Sequence, residues 1–568
     1  MSIDNTAQKK QGAKTLIIGW DGAEWSVIHR LLEAKALPTI AKLIDVGATS
    51  RLCSTTPPMT LPSWSSMLTG CNPGKHGIFD FVHKDADTWK LRFSSAMDRQ
   101  VPTIHELLSA KGKRVLSVAV PTTWPPSKVN GVIVSGFDSP VSTGIDGSFC
   151  YPPSVYTEIQ EKFGGLCFAD FQESDIGDGW HEKAVETMHR EVQRKTDIFS
   201  WLLSTERWDC AMIVFGESDT VSHHFWRFHD KNSPRYPREK VADRLYRAVE
   251  DIYIALDKAL ARIIAIADYE HICICSDHGF GPAGDKALFL NRYLQENGWL
   301  EYKKEKQVSG LRFGTGMGDW CRDKALRYLP ARLQGKLFRR IPKFVINHLE
   351  SRSRYANIDF TQTFAVSDEM NYSTTIRLHT EGLSPKEIEQ NIEQLRACLL
   401  GWEIDGEKVV SSIYHRDDLY VGAVCHRSPE LIVELAMPKG ATYTLLPSNR
   451  AKKGQTWRYL APEEWQGGKG LGMNGSHRQY GVLILAGKDM VSGTVDARME
   501  DIVPTLLFAM GNAVPSYMDG RVLREIMHVQ RDIVYEDGVL QSKSTTNASM
   551  NSAETDAIRR RLEGLGYL

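Results

Sequence analysis

The sequence predicts an α/β protein: a doubly wound, mostly parallel sheet with an inserted helical cap and a smaller α+β segment. Three observations predict the sheet. Short apolar runs such as "TLIIGW", "GVIVSGF", "CAMIVFGES" and "HICICS" alternate with longer amphipathic stretches. Several of these runs end in polar residues: Asp21, Asp219 and Asp277 each follow one directly or within a few positions. Strand, polar residue, helix is the order of a parallel sheet whose sites lie beyond the carboxyl ends of its strands. Hydrophobic residues make up 42% of the 568, enough for a large core.

Each element follows in order. "KTLIIGWDG" is a short apolar run ending in Asp-Gly, as a buried parallel strand ends in a functional loop. "WSVIHRLLEAKALPTIAKLIDVGA" reads as helix with a break near Pro38. "TTPPMTLPSWSSMLTGCNPGKHG" is crowded with hydroxyls and punctuated by proline and glycine. It suits either a loop that caps a helix or a nucleophile held at a helix start. "VPTIHELLSAKGKRVLSVAVP" gives helix, glycine turn and strand, and "GVIVSGF" a further strand. "HEKAVETMHREVQRKTDIFSWLLSTERWDCAMIVFGESD" is a long helix, then a strand ending in acid. "RLYRAVEDIYIALDKALARIIAIADYEHICICSDHGFG" repeats that order.

The pattern changes at 289–357, which is irregular, aromatic and basic and includes "RYLPARLQGKLFRRIPKF". It predicts an inserted helical cap, whose basic stretch at 311–344 would cover the site or form a solvated face. "SPKEIEQNIEQLRACLLGW" to "PELIVELA" reads as the helix and strands of the smaller segment. "GVLILAG" and "DIVPTLLFAMG" return to a strand and a helix of the core. "QSKSTTNASMNSAE" is a low-complexity linker and "TDAIRRRLEGLGYL" a short terminal helix. The expected organisation is a core over 1–288, a cap or insert over 289–440, the rest of the core over 441–540, and linker plus helix over 541–568.

Charge and cysteine content narrow the function. Sixty-nine basic and 70 acidic residues leave a net charge of −1, so nothing global points to nucleic acid or an anionic membrane. The ten cysteines form no C-x-x-C pair, and Cys273 and Cys275 alternate with Ile272 and Ile274 as in a buried strand. With a polar N-terminus and no run of eighteen apolar residues, the expectation is a soluble, cytoplasmic protein.

The strand ends carry metal-ligand chemistry. Asp21 follows the first strand; Asp219 follows the acid-ended strand, with His223 four residues on; Asp277 and His278 follow "HICICS"; His477 lies in "GMNGSHRQYG". Carboxylate and imidazole suit zinc, manganese or iron. Asp219 and His223 share a face if their segment is helical. One such motif is weak, but several at successive strand ends of one sheet are brought together by the topology. Other polar residues take plainer roles. Ser63, Ser65 and Ser66 read as helix caps or solvated hydroxyls, and Ser54, Thr55 and Thr56 as loop residues. His76 reads as structural, His224 as core or neighbour to a ligand, His105, His229 and His271 as surface or packing residues, and Lys75 as a solvated lysine, with a contact to substrate phosphate as the alternative.

These motifs together resemble the alkaline phosphatase superfamily, and within it the type I phosphodiesterase/nucleotide pyrophosphatase family. The resemblance runs over about 14–523. It rests on "IIGWDGAEW", "TLPSWSSMLTGCNPGKHGIFDF", "GESDTVSHHFW", "CSDHGFG" and "GSHR" before a strand, and on "DIVPTLLFAMGNAVPSYMDGRVL". In that family the nucleophile stands nine residues before a Thr-Gly pair, which is Thr60 before Thr69-Gly70 here. The resemblance implies one metal held by Asp21, Thr60, Asp277 and His278 and another by Asp219, His223 and His477: two divalent ions, zinc first, with manganese or iron as alternatives. It implies backbone N–H groups after Pro62, or that of Leu61, for the phosphoryl oxygens. The expected activity is hydrolysis of phosphodiester or pyrophosphate bonds in a small, nucleotide-like or lipid-like substrate. The alternative is a phosphomonoesterase or another phosphoryl-transfer enzyme of the same superfamily. A sulfatase is disfavoured, because Thr60 cannot give formylglycine and Trp64 stands where the sulfatase arginine would. A non-catalytic binding protein is disfavoured because all seven positions are filled.

Overall fold

A computed structural model describes residues 12–84, 91–138, 147–165, 179–303, 355, 357–369, 374–465, 473–528 and 531–538. The basic stretch at 311–344, the linker and the terminal helix lie outside these residues, as does most of the helical cap expected at 289–357.

The main sheet has nine strands. In chain order they are β1 (Gly12–Trp20), β2 (Ala48–Cys53), β3 (Val115–Val120), β4 (Gly131–Ser135), β5 (Cys150–Tyr151), β6 (Arg207–Phe215) and β7 (His271–Cys275). After an intervening pair, β8 (Gly279–Leu288) and β9 (Gly475–Arg478), come β10 (Tyr480–Gly487) and β11 (Gly493–Thr494). Their spatial order is β11-β2-β10-β7-β1-β6-β3-β4-β5. The central run β7-β1-β6-β3-β4 is parallel. β10 runs antiparallel to both β7 and β2. The sheet is therefore mostly parallel, as its apolar runs predict.

Both faces of the central strands are buried, which is why they read as continuous apolar runs rather than alternating ones. Leu16, Ile18, Ile272 and Ile274 point into one core, with α1 (Trp25–Glu33), α2 (Pro38–Val46), α4 (Trp180–Thr205), α5 (Glu217–His229) and α6 (Asp243–Ile266) over it. Ile17, Met212, Cys273 and Cys275 point into the other, under α3 (Thr60–Thr69) and α7 (Ile502–Ala509). α1 and α2 are separate helices: Lys35 takes a left-handed φ of 56° between them, and Pro38 starts the second.

A third core, with Leu395, Leu399, Val410 and Val433, lies between the helix Pro385–Leu400 and a four-stranded antiparallel sheet. That sheet runs Ala365–Ser367, Thr375–Leu378, Leu431–Leu435, Val410–His415. The long strand β8 joins this region to the main core. Its start pairs with β9, and its end pairs with Thr442–Leu445 and Trp457–Tyr459.

Candidate metal centre

Three strand ends and one strand pair build the site. β1 ends at Trp20, and the Asp21 N–H donates to Phe215 O at 3.0 Å, tying it to the end of β6. Gly22 follows with φ +63°, and a Cβ there would sit 3.1 Å from Asp219 and from the Phe280 ring. β6 passes through Gly216 into α5, which puts Asp219 in the first turn and His223 one turn on. β7 ends at Cys275. Ser276 Oγ then accepts from Ala23 N–H at 2.7 Å and donates to His278 O at 2.6 Å, which fixes the Asp277-His278 turn. β9 lies beside β8 with His477 opposite Phe280.

The side chains fall into two buried groups, Asp219 with His223 and His477, and Asp21 with Asp277 and His278, each with ligand atoms within 4.8 Å of one another. Asp219 Oδ1 is 3.0 Å from His223 Nε2 and 3.4 Å from His477 Nε2. His278 Nε2 is 3.3 Å from Asp277 Oδ2 and 3.7 Å from Asp21 Oδ1. The His278 and His477 rings stack at 3.6 Å between centroids, so the two groups adjoin.

The imidazole orientations test whether cations fit. His223 Nδ1 faces Gly475 O at 3.0 Å, His278 Nδ1 faces Gly279 O at 3.1 Å, and His477 Nδ1 faces Pro58 O at 2.9 Å. A carbonyl only accepts, so each Nδ1 carries the hydrogen and the neutral ring presents its Nε2 lone pair inward. His223 Nε2 and His477 Nε2 are then 3.1 Å apart, beside a carboxylate oxygen. Lone pairs converging in a dry site repel one another unless a cation lies among them, and carbonyl-anchored imidazoles are how proteins orient metal ligands. Burial, then Asp21 next door, pushes the Asp277 carboxyl well above the usual range. Burial, then His477, holds His278 well below the usual imidazole value. The donor set fits divalent cations.

Thr60 is the first residue of α3, and its Oγ1 lies 3.5 Å from His278 Nε2. The helix therefore begins at Thr60, before Pro62 rather than after it. The N-cap Met59 makes no side-chain cap, Pro62 has no N–H, and Ser63 N–H goes to Met59 O at 3.0 Å. The Thr60 and Leu61 N–H groups thus lead the helix.

Several sequence expectations need correction. Ser63, Ser65 and Ser66 are fully buried rather than solvated, because α3 is enclosed on all sides. Ser63 Oγ bonds Ser54 Oγ at 2.7 Å and Thr55 Oγ1 at 2.8 Å; Ser65 Oγ meets Thr122 Oγ1 at 3.2 Å. Lys75 is not a solvated lysine: it pairs with Asp519 Oδ1 at 2.6 Å and donates to Tyr517 O at 2.7 Å. His76 is structural, bonded through Nε2 to Ser66 Oγ at 3.0 Å and through Nδ1 to Ile78 N–H at 3.1 Å. His224 is buried against Trp180, and His105, His229 and His271 are buried packing residues.

Sequence reasoning missed three supporting residues. Trp64 Nε1 donates to Asp21 Oδ2 at 3.0 Å. Asn474 N–H donates to His223 O, and its Nδ2 to His224 O, both at 2.8 Å. Arg235, buried completely, donates to Gly284 O, Met473 O and Thr444 Oγ1. None carries a local signal, since each partner comes from a distant segment.

A family model described as type I phosphodiesterase / nucleotide pyrophosphatase matches residues 15–442. Among solved structures, phosphonoacetate hydrolase from Sinorhizobium meliloti 1021, in complex with phosphonoformate, is 12% identical with a TM-score of 0.47, covering 88% of this chain and 96% of that one. Human ectonucleotide pyrophosphatase / phosphodiesterase 5 is 11% identical with a TM-score of 0.47, covering 91% and 100%. A mutant of the alkaline phosphatase PafA is 13% identical with a TM-score of 0.47, covering 90% and 98%.

Proposed function

The chain belongs to the type I phosphodiesterase / nucleotide pyrophosphatase family, and from that premise we propose that it hydrolyses phosphodiester or pyrophosphate bonds with Thr60 as nucleophile and two divalent cations, zinc first. The observation that carries the reading is the position of Thr60: buried, first in its helix, 3.5 Å from His278 and beside the stacked His278–His477 pair that joins the two acceptor groups. Asp21, Asp277 and His278 would hold one cation with Thr60, and Asp219, His223 and His477 the other. Bound cations lower the pKa of a coordinated hydroxyl and offset charge building on a phosphoryl group.

The chain's own groups do the rest. Thr60 Oγ1 attacks phosphorus, an Oγ1–P bond forms, the bond to the leaving oxygen breaks, and the hydroxyl proton passes to solvent. Water then cleaves the Oγ1–P bond, returning Thr60 and releasing the phosphoryl product. The Thr60 and Leu61 N–H groups at the head of α3 offer donors to the phosphoryl oxygens. Among the described residues, the basic side chains of Lys75, Arg99 and Arg478 are committed elsewhere: Lys75 to Asp519, Arg99 to Thr122 O, and Arg478 to the carbonyls of Ser476, His477, Pro282 and Gly440. Charge compensation falls to the cations, which favours a singly charged diester over a dianionic monoester.

Rapid-quench mass spectrometry on a slow diester should find phosphoryl mass on the peptide containing Thr60. Thr60→Ala should lose that adduct and on the order of 10³ in kcat, while keeping the fold and most of the metal. Thr60→Ser should keep part of the rate. For bis(p-nitrophenyl) phosphate, kcat/KM should exceed that for the monoester. Full activity in Thr60→Ala would exclude the nucleophile, and a clear monoester preference would make the protein a phosphatase.

A further inference from the structure

We propose that Trp64 is a positioning residue: its indole N–H turns Asp21 toward the cation held with Asp277 and His278, and bonds that group to the helix carrying the nucleophile. The inference rests on the two-cation reading above.

Asp21 and Asp277 are held alike. Gly22 N–H donates to Asp277 Oδ1 at 3.1 Å, and the other oxygen, Oδ2, is the one that approaches His278 Nε2. Trp64 Nε1–H donates to Asp21 Oδ2 at 3.0 Å, and Oδ1 is the one that approaches His278 Nε2. Each carboxylate thus gives one oxygen to an N–H and presents the other inward, which makes it a one-oxygen ligand of fixed direction. For Asp277 the donor is backbone. For Asp21 it is a side chain, so this half of the site depends on residue 64.

The space around the ring points the same way. Trp64 is fully buried and lies over β1 at Gly19, where a Cβ would sit 2.5 Å from ring atom Cη2 and 2.8 Å from Val214 Cγ2. Filling a core needs no N–H, and a buried indole N–H without an acceptor is costly. Here the acceptor is a carboxylate, whose charge strengthens the bond. Trp64 also stands one turn after Thr60 on α3, so residues on one face of one helix carry both the attacking hydroxyl and the donor to Asp21. The bond sets the distance between helix and ligand.

The test uses zinc itself, titrated against a chromophoric chelator in two backgrounds. Asp219→Ala leaves only the Asp21 group; Asp277→Ala leaves only the Asp219 group. Trp64→Phe should weaken zinc binding by about 10- to 100-fold in the first background and by less than about twofold in the second. Benzothienylalanine placed at position 64 keeps the ring shape without the N–H. It should reproduce the loss even if Trp64→Phe folds poorly. Unchanged affinity in both backgrounds would overturn the role and leave the two-cation reading standing. Equal weakening in both would make Trp64 a packing residue only, and also overturn it. If the Asp219→Ala protein with Trp64 intact takes up no zinc, the two-cation reading falls and this role with it.

Discussion

Three imidazoles at the site each spend Nδ1 on a backbone carbonyl, whereas His76 spends both nitrogens on its own neighbours. The difference separates a ring that presents a lone pair from one that fills and bridges. His76 lies under α3 with Ser66 on Nε2 and the Ile78 N–H on Nδ1, an arrangement that needs a neutral ring. Burial, then Arg99, lowers its pKa to about 3. Burial lowers His105 and His229 to about 4. In the unfolded chain such groups titrate at about 6.5, so below that pH the unfolded state binds protons that the folded state refuses. Stability is then fully present above about pH 6.5 and falls as pH drops toward 4 and 3, by up to about 1.4 kcal/mol per pH unit for each histidine. Urea unfolding of metal-free protein from pH 7 to pH 4 should show this slope. His76→Gln should reduce it by up to about 1.4 kcal/mol per pH unit; an unchanged slope would mean that His76 is protonated in the folded protein.

At the scale of elements, the part of the site legible in the sequence is the part set by local order. Asp21, Asp219 and Asp277 fall just past apolar runs, and in a parallel sheet the ends of neighbouring strands lie together whatever the loops do. β1 between β6 and β7 is therefore enough to bring three carboxylates to one edge. Partnerships across the fold were not legible. Nothing near Lys75 announces Asp519, and nothing near Trp64 announces Asp21, because register and helix rotation, not local pattern, decide those meetings. The serines of α3 differ from their sequence expectation for a related reason: a polar helix reads as exposed unless the segments that enclose it are known. Arg235 belongs here as well. Its guanidinium joins the loop after α5 to β8 and to the Met473 carbonyl, just ahead of Asn474 and His477. Arg235→Met should strand the Gly284 carbonyl at about 1–3 kcal/mol, read as a lower urea midpoint. It should also weaken zinc at the Asp219 group by loosening the approach to β9. Arg235→Lys should recover only part, since one ammonium nitrogen replaces the planar fork whose separate nitrogens reach Gly284 O, Met473 O and Thr444 Oγ1. A midpoint and zinc affinity equal to wild type in Arg235→Met would remove that role.

At the scale of the molecule, the two cations proposed here would cross-link distant segments. Asp219 and His223 come from α5 and His477 from β9, some 250 residues later; Asp21 comes from the end of β1 and Asp277 and His278 from the turn after β7, again some 250 residues apart. Without cations, each group is a set of mutually repelling acceptors in a dry site, a local cost the rest of the fold must carry. With cations, each becomes a bond between distant segments that exists only in the folded chain, so occupancy stabilises by mass action. At free ion concentrations 100-fold above the dissociation constant, each site contributes about 2.7 kcal/mol. Stripping the protein with chelator should lower its unfolding free energy by about 5 kcal/mol under those conditions, and re-adding zinc should restore it. Asp219→Ala and Asp277→Ala should each remove roughly half of the zinc-dependent gain, because each leaves the other group intact, and the double variant should respond to neither chelator nor zinc. The measurement is the denaturant midpoint with and without chelator for the four proteins. If wild type and double variant shift equally on chelation, the ion that matters sits elsewhere, and the convergence of imidazole and carboxylate at the strand ends needs another cause.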